Sequence, residues 1–154
     1  EVPLDTVRRA FELARAAGAT TVLNPAPAQA LPTDVLALCD IVVPNEHEVE
    51  LLGGVAHLLA LGARAVVVTL GADGADLHTA EGTTHVDAFA VTPLDTTGAG
   101  DTFSGALCAR LAAGDDLPVA LRFAAAAGAL CTTRPGAVPS IPLRAEVEVL
   151  LNEA

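Results

Sequence analysis

The fold class is decided by the stretch RAVVVTL, residues 64–70, which is followed directly by GADG, residues 71–74. The unbroken apolar run at 65–68 within this stretch predicts a β-strand that is covered on both faces, as strands of a parallel sheet are. The glycines after it predict a turn. Shorter apolar runs at 20–23 and 41–43 predict two more strands, with helical segments between them. This alternation predicts an α/β protein with a mostly parallel central sheet flanked by helices.

The remaining elements follow from apolar spacing and from turn residues. A hairpin is predicted between 77 and 86, and a Pro/Gly loop over 134–142. Helices are predicted at 4–17, 36–40, 46–52, 55–61, 117–131 and 143–151, and a further helix begins near 98 and ends at 113. A chain of 154 residues with these elements is expected to form one domain.

Composition excludes several function classes. The chain has 19 acidic and 8 basic residues and a net charge of −11, which argues against nucleic acid and against an anionic membrane surface as partners. Every basic residue is arginine, so reactions that need a P-loop lysine or a lysine Schiff base are excluded. Cys39, Cys108 and Cys131 are widely spaced in apolar stretches, which predicts buried free thiols. With no signal peptide and no apolar run of membrane length, we expect a cytoplasmic protein.

Candidate chemistry is concentrated in DTTGAGDTFSG, residues 95–105. The small residues Gly98, Ala99 and Gly100 allow a ligand to approach the backbone closely, and they stand at the start of a helix. Unpaired amides and the positive end of the helix dipole favour an anion there. Asp101, in the first turn, is placed to accept a proton from a hydroxyl that attacks phosphorus. The structural alternative is that 98–101 only caps the helix.

This stretch resembles the signature of the ribokinase-like (PfkB) sugar and nucleoside kinases, and other motifs follow in family order. NEHE at 45–48 matches the N-x-x-E of the family, and TLGADG at 69–74 matches its T-x-G-x-x-G nucleotide loop. NPAPA at 24–28 and RPGAVPSIP at 134–142 resemble the ribose-specific members. The resemblance covers 1–154 but only about the second half of such a kinase. It implies the nucleotide-binding and catalytic half of a ribokinase-like sandwich, without the sugar-binding half and its lid. The absence of methionine also indicates a fragment.

The resemblance implies ATP-dependent phosphorylation of D-ribose at its 5-hydroxyl, with Mg²⁺ required, K⁺ activating, and a homodimer as the full-length form. Asp101 would be the base, and the amides of Gly98, Ala99 and Gly100 would form an anion hole. Glu48 would hold Mg²⁺ through water, and Glu1 and Asp101 would contact the sugar. The implied nucleotide contacts are Asn45, Thr69, Leu70, Gly71, Ala72, Asp73, Gly74, Gly100 and Ala125. The implied K⁺ contacts are Asp95, Thr97, Cys131, Arg134, Gly136 and Ser140, with Cys131 and Arg134 offering carbonyl oxygens.

Alternatives stay open at this point. A kinase of the same family that phosphorylates another sugar or a nucleoside would share these motifs, and so would a non-catalytic fragment that only binds nucleotide. Without the resemblance, Asn45 and Glu48 are most simply a helix cap. The stretch 53–62 is shorter than in the family, and a true deletion there would affect how Asn45 and Glu48 meet the nucleotide.

Overall fold

The computed structural model describes residues 2–153 and separates into two compact units. Among the described residues, the first unit comprises 2–70 and 76–85, and the second comprises 71–75 and 86–153. The sheet belongs almost entirely to the first unit. The long helices at the C-terminal end belong to the second.

The first unit is built on a five-stranded sheet with the strands in sequence order. These strands are β1 (Val22–Leu23), β2 (Ile41–Val42), β3 (Ala65–Thr69), β4 (Ala75–Thr79) and β5 (Gly82–Val86). β1, β2 and β3 pair in parallel, with Val22 opposite Ile41 and Ile41 opposite Ala65. The contacts Asp76–His85 and His78–Thr83 show that β4 and β5 run antiparallel. The helices of this unit are α1 (Leu4–Ala16), α2 (Thr33–Leu36), α3 (Glu46–Leu51) and α4 (Val55–Ala60). The predicted α/β class is confirmed.

The core of the first unit forms around β3. Val66 and Val67 point to opposite faces of the strand, and both are fully buried, as the apolar run predicts. Leu36 of α2, Leu58 of α4 and Val42 of β2 pack in one cluster with Val66. The short helix α4 thus contributes to the core although it has only six residues.

The second unit is a group of helices: α5 (Ala99–Ala112), α6 (Leu117–Cys131), α7 (Ala137–Ser140) and α8 (Arg144–Glu153). α5 and α6 approach closely at Gly128, where an added Cβ would lie 3.4 Å from the Ala99 carbonyl oxygen. Asp116 caps α6 by accepting a hydrogen bond from the Val119 amide at 3.0 Å. No helix within residues 2–153 is long and apolar enough to span a membrane.

Three details differ from the predictions. The helix expected at 36–40 lies at Thr33–Leu36, because Pro32 begins it, and Asp40 is instead hydrogen-bonded to Thr21. The Pro/Gly loop at 134–142 contains the short helix α7. Cys108 is exposed rather than buried, whereas Cys39 and Cys131 are buried as expected. α5 has small and apolar residues around much of its circumference, so its pattern does not tell which face is covered.

Candidate active site

The start of α5 presents backbone amides without partners. Gly98 precedes the helix in the left-handed conformation, with φ of 76°, and its carbonyl accepts from the Thr102 amide at 2.9 Å. The Ala99 amide donates to Thr96 at 3.2 Å. Within residues 2–153, the amides of Gly98, Gly100 and Asp101 have no hydrogen-bond acceptor. The free donors are therefore 98, 100 and 101 rather than the predicted 98, 99 and 100.

Gly98 is required at this position for two reasons. Only glycine adopts its positive φ without strain. An added Cβ would also lie 3.2 Å from both Cα and Cβ of Ala137, closer than carbon atoms pack comfortably. Gly100, in contrast, has no heavy atom within 4 Å of the same ideal position, so the space beside its backbone is open. Open space next to free amides at a helix start suits an approaching anion.

Asp101 is exposed in the first turn of α5 and borders a cavity of about 520 Å³ in the second unit. Gly98, Gly105 and Phe123 line the same cavity, and its walls are mostly apolar. The carboxylate and the free amides lie within one helical turn. Such an arrangement can accept a proton and can stabilise negative charge on a phosphoryl group.

The loop before α5 is fastened by Asp95. Its Oδ1 accepts from the Thr97 amide at 2.9 Å, and its Oδ2 accepts from the Gly136 amide at 2.8 Å. The hydrogen bond from the Gly136 amide contributes most, and together these bonds lower the pKa of Asp95 to about 2. The charged carboxylate therefore joins the 95–98 loop to the 134–136 loop.

The six residues predicted to surround K⁺ form one connected cluster. Besides the Asp95 bonds, the Cys131 sulfur lies 3.9 Å from the Thr97 carbonyl and 3.0 Å from the Ser140 hydroxyl, and the Arg134 amide donates to the Cys131 carbonyl at 3.4 Å. The Arg134 guanidinium pairs with Glu146, which neutralises its charge. Carbonyl, carboxylate and hydroxyl oxygens are the ligands a hard monovalent cation prefers, so the residues fit such an ion.

In the first unit, Asn45 and Glu48 form a reciprocal cap at the start of α3. Asn45 Oδ1 accepts from the Glu48 amide at 2.8 Å, and Glu48 Oε2 accepts from the Asn45 amide at 2.9 Å. The cap interpretation of this pair is therefore realised in the fold. Among the described residues, Glu48 Oε1 has no hydrogen-bond partner, which leaves one carboxylate oxygen for a hydrated metal ion. Mg²⁺ keeps most of its waters and needs few protein ligands, so the pair fits it.

Thr69 lies beside Asn45 at the carboxyl ends of β2 and β3. The Thr69 amide donates to the Pro44 carbonyl at 2.9 Å, and Asn45 and Thr69 form an isolated parallel bridge. Two residues of separate predicted motifs, 24 positions apart, are thus neighbours. Ligands of parallel sheets bind at this edge, outside the carboxyl ends of the strands.

The remaining predicted residues are placed as follows. Leu70 is half-buried after β3, and Gly71, Ala72 and Asp73 form an exposed helical turn. Gly74 has φ of 98°, and an added Cβ would lie 2.1 Å from the Val86 carbonyl oxygen, so the chain itself demands glycine there. Ala125 is half-buried in α6 and packs against the core cluster of Phe89 and Val147. Glu1 lies outside the described residues.

Sequence reasoning missed three contributors. The Asp101 amide was not predicted to be a free donor, because the sequence pattern indicated a role only for the Asp101 side chain. Ala137 sets the space beside Gly98, and no sequence signal identifies it. The Cys131 thiol contacts Thr102 and Ser140, whereas only its carbonyl was predicted to matter.

Comparison with known proteins identifies the family. Residues 1–144 match the family described as pfkB family carbohydrate kinase. The chain belongs to that family. Among curated members, it is 44% identical to a ribokinase of Staphylococcus aureus over 160 residues, which cover 96% of the chain and 53% of the relative. It is 36% identical to a deoxyribokinase of Salmonella typhi over 155 residues, covering 92% of the chain and 51% of the relative.

Among solved pfkB structures, the ribokinase of Arabidopsis thaliana, described as complexed with ribose and ATP, superimposes with a TM-score of 0.91. The two chains are 32% identical, and the match covers 97% of this chain and 53% of the other. The ribokinase-like fold is thereby confirmed. The chain spans about half the length of the pfkB relatives it matches.

Proposed function

We propose that the protein is an ATP-dependent sugar kinase that phosphorylates D-ribose at its 5-hydroxyl. The observation that supports this most strongly is the start of α5, where the exposed Asp101 carboxylate and the free amides of Gly98, Gly100 and Asp101 share one helical turn. The likeness to ribokinases of Staphylococcus aureus and Arabidopsis thaliana supports ribose as the acceptor.

In the proposed reaction, Asp101 accepts the proton of the sugar hydroxyl as its oxygen attacks the γ-phosphorus of ATP. The bond from phosphorus to the bridging oxygen breaks, and ADP leaves with that electron pair. The amides of residues 98, 100 and 101 donate hydrogen bonds to the oxygens of the transferring group, where charge accumulates. Because the chain has no lysine, this backbone stabilisation replaces the cationic side chain that many kinases use.

The nucleotide and its metal would be held by residues of the predicted motifs. Asn45, Thr69, Leu70 and the turn 71–74 would contact ATP, with Ala125 offering only apolar contact to the base. When bound, Mg²⁺ neutralises phosphate charge. Glu48 would hold it through water by its Oε1, since its Oε2 is engaged by the Asn45 amide.

A monovalent cation, which we propose to be K⁺, would be bound by the cluster of Asp95, Thr97, Cys131, Arg134, Gly136 and Ser140. Asp95 and the 134–136 loop already fix the chain just before Gly98. A cation among these oxygens would hold that loop more firmly and so order the amides that follow it. The family resemblance also leads us to propose a cytoplasmic homodimer as the full-length form, which light scattering would test.

The test is phosphoryl transfer by the protein as its gene encodes it, measured by ADP release with Mg²⁺ and with either K⁺ or Na⁺. Acceptors are D-ribose, 2-deoxyribose, fructose and adenosine. We expect ribose to be preferred, K⁺ to raise the rate, and Asp101→Asn to lower kcat at least a thousandfold while ATP binding is retained. Glu153→Gln, which removes the charge of an exposed carboxylate at the end of α8 and outside the proposed site, is the control.

Three results would contradict the proposal. Turnover of Asp101→Asn within tenfold of the unchanged protein would contradict the assignment of Asp101 as the base. A preference for 2-deoxyribose, fructose or adenosine would support kinase activity but contradict ribose as the acceptor. 2-Deoxyribose is the substrate indicated by the name of the Salmonella typhi relative. ATP binding without transfer to any acceptor would favour a non-catalytic nucleotide-binding protein.

A further inference from the structure

The buried thiol of Cys131 stands at the centre of a polar chain beside the start of α5. Cys131 is the last residue of α6, and both it and Ser140 are fully buried. The Thr102 hydroxyl lies 3.3 Å from the Cys131 sulfur, the sulfur lies 3.0 Å from the Ser140 hydroxyl, and that hydroxyl lies 2.7 Å from the Ala137 carbonyl oxygen. All of these groups belong to the second unit.

The number of protons available fixes which group donates and which accepts in each of these hydrogen bonds. The Ala137 carbonyl can only accept, so the single Ser140 proton is donated to it, and Ser140 must accept from the Cys131 S–H. The sulfur then accepts from the Thr102 hydroxyl. The Thr97 carbonyl, 3.9 Å from the sulfur, is the more distant alternative acceptor. Thr102, Cys131 and Ser140 thus each donate once, in that order, and the Ala137 carbonyl is the final acceptor.

Both ends of the chain contact the proposed catalytic segment. Thr102 follows Asp101 directly, and its own amide is bound by the Gly98 carbonyl at 2.9 Å. Ala137, at the other end, is the residue whose Cα and Cβ limit the space beside Gly98 to 3.2 Å from an ideal Cβ position. A hydrogen-bonded chain through one thiol therefore connects the two sides of the segment 98–102.

We propose that Cys131 is a positioning residue, whose thiol holds the amides of 98–101 and the Asp101 carboxylate in the arrangement for phosphoryl transfer. This role is separate from the K⁺ contact proposed for its carbonyl oxygen. Its catalytic consequence rests on the proposed function. Its structural consequence, the ordering of residues 97–103, does not.

The test compares Cys131→Ala with Cys131→Ser in the protein as its gene encodes it. Alanine and serine have nearly equal volumes, so the two variants leave similar space and differ by one hydroxyl that can both donate and accept. Cys108→Ala, an exposed cysteine on α5, is the control for thiol removal in general. The measurements are kcat, the KM for ribose and for ATP, and hydrogen–deuterium exchange of the peptide that covers 97–103.

We expect Cys131→Ala to lower kcat by about tenfold, the rate equivalent of losing one buried hydrogen-bonded partner, with both KM values nearly unchanged. Exchange at 97–103 should rise in the same variant. Cys131→Ser should restore both kcat and exchange protection toward the values of the unchanged protein, and Cys108→Ala should alter neither.

The proposal is overturned if the alanine and serine variants have equal kcat and equal exchange at 97–103, because packing alone would then explain the site. If the unchanged protein transfers phosphate to no acceptor, the proposed function fails, and the exchange comparison alone decides the positioning role. A rise in exchange in Cys131→Ala that is reversed in Cys131→Ser supports it in either case.

Discussion

Two glycines at the start of α5 should respond in opposite directions to the same substitution. Gly98 has φ of 76°, and its ideal Cβ position lies 3.2 Å from Cα and Cβ of Ala137. Gly100 lies within the helix, and its ideal Cβ position has no heavy atom within 4 Å. Gly98→Ala should therefore destabilise the fold, and Gly100→Ala should stabilise it.

The magnitudes follow from backbone preference and contact. An alanine at 98 in the left-handed region costs ~1–2 kcal/mol, and Ala137 must shift by a few tenths of an ångström, which adds strain. Alanine at 100 gains ~0.5–1 kcal/mol, because glycine loses more freedom in a helix. The two variants should differ by ~2–3 kcal/mol in the free energy of unfolding, as the sum of these effects.

Urea denaturation gives the stabilities, and the kinase assay gives the rates. Although Gly100→Ala is the more stable variant, its methyl group occupies the open space beside the free amides, so we expect kcat to fall at least tenfold. Gly105→Ala serves as the control, since Gly105 is also helical with no heavy atom within 4 Å of its ideal Cβ position, but lies one turn beyond Asp101.

The reasoning is refuted if Gly98→Ala is as stable as the unchanged protein, because the left-handed conformation would then not be required. It is also refuted if Gly100→Ala and Gly105→Ala have equal kcat. In that case the space beside the Gly100 amide is not used by the transferring group.

Two further predictions concern Asp95 and Asn45. Because the folded pKa of Asp95 is lowered from 3.8 to about 2, its charge stabilises the fold above pH 4 and that contribution is lost as the pH falls through about 2. Asp95→Asn should thus lower the urea midpoint at pH 7. The difference in urea midpoint between this variant and the unchanged protein should be smaller at pH 3, and an equal difference at both pH values would contradict the prediction. Asn45→Ala should cost ~0.5–2 kcal/mol by removing the cap of α3. Asn45→Asp keeps the cap but should raise the KM for ATP severalfold, because the added negative charge repels phosphate. An unchanged KM would indicate that Asn45 only caps α3.

Most of the fold could be predicted because its signals are local. Residues 65–68 are apolar at successive positions, so a strand covered on both faces is the simplest structure for them, and Val66 and Val67 are indeed fully buried. The helix at Thr33–Leu36 was placed wrongly because a helix of four residues is too short to show an apolar repeat. The burial of Cys108 was predicted wrongly because α5 is nearly uniform around its axis.

The same distinction between local and long-range signals applies to the candidate site. Motif residues such as Asn45, Thr69 and Asp101 could be proposed from sequence because they match motifs of the family, and their roles stay predictions. The neighbours that contact the segment 98–102 could not, because Ala137 and Cys131 meet Gly98 and Thr102 through contacts between residues 29 or more positions apart. An alanine or a buried cysteine offers no pattern that distinguishes this role from ordinary packing.

The contacts at the start of α5 also explain how this region can be organised within a chain half the length of its relatives. The Asp95 bonds, the Gly98 contact with Ala137 and the thiol chain all join residues 95–102 to residues 131–140. None of these bonds needs a residue of the first unit, so the geometry of the free amides and of Asp101 is set by one stretch of about 45 residues. The one residue implied to contact only the sugar, Glu1, lies outside this stretch and outside the described residues. Substitutions at Cys131 or Gly98 should consequently act on the rate of phosphoryl transfer, and the choice of acceptor should be insensitive to them.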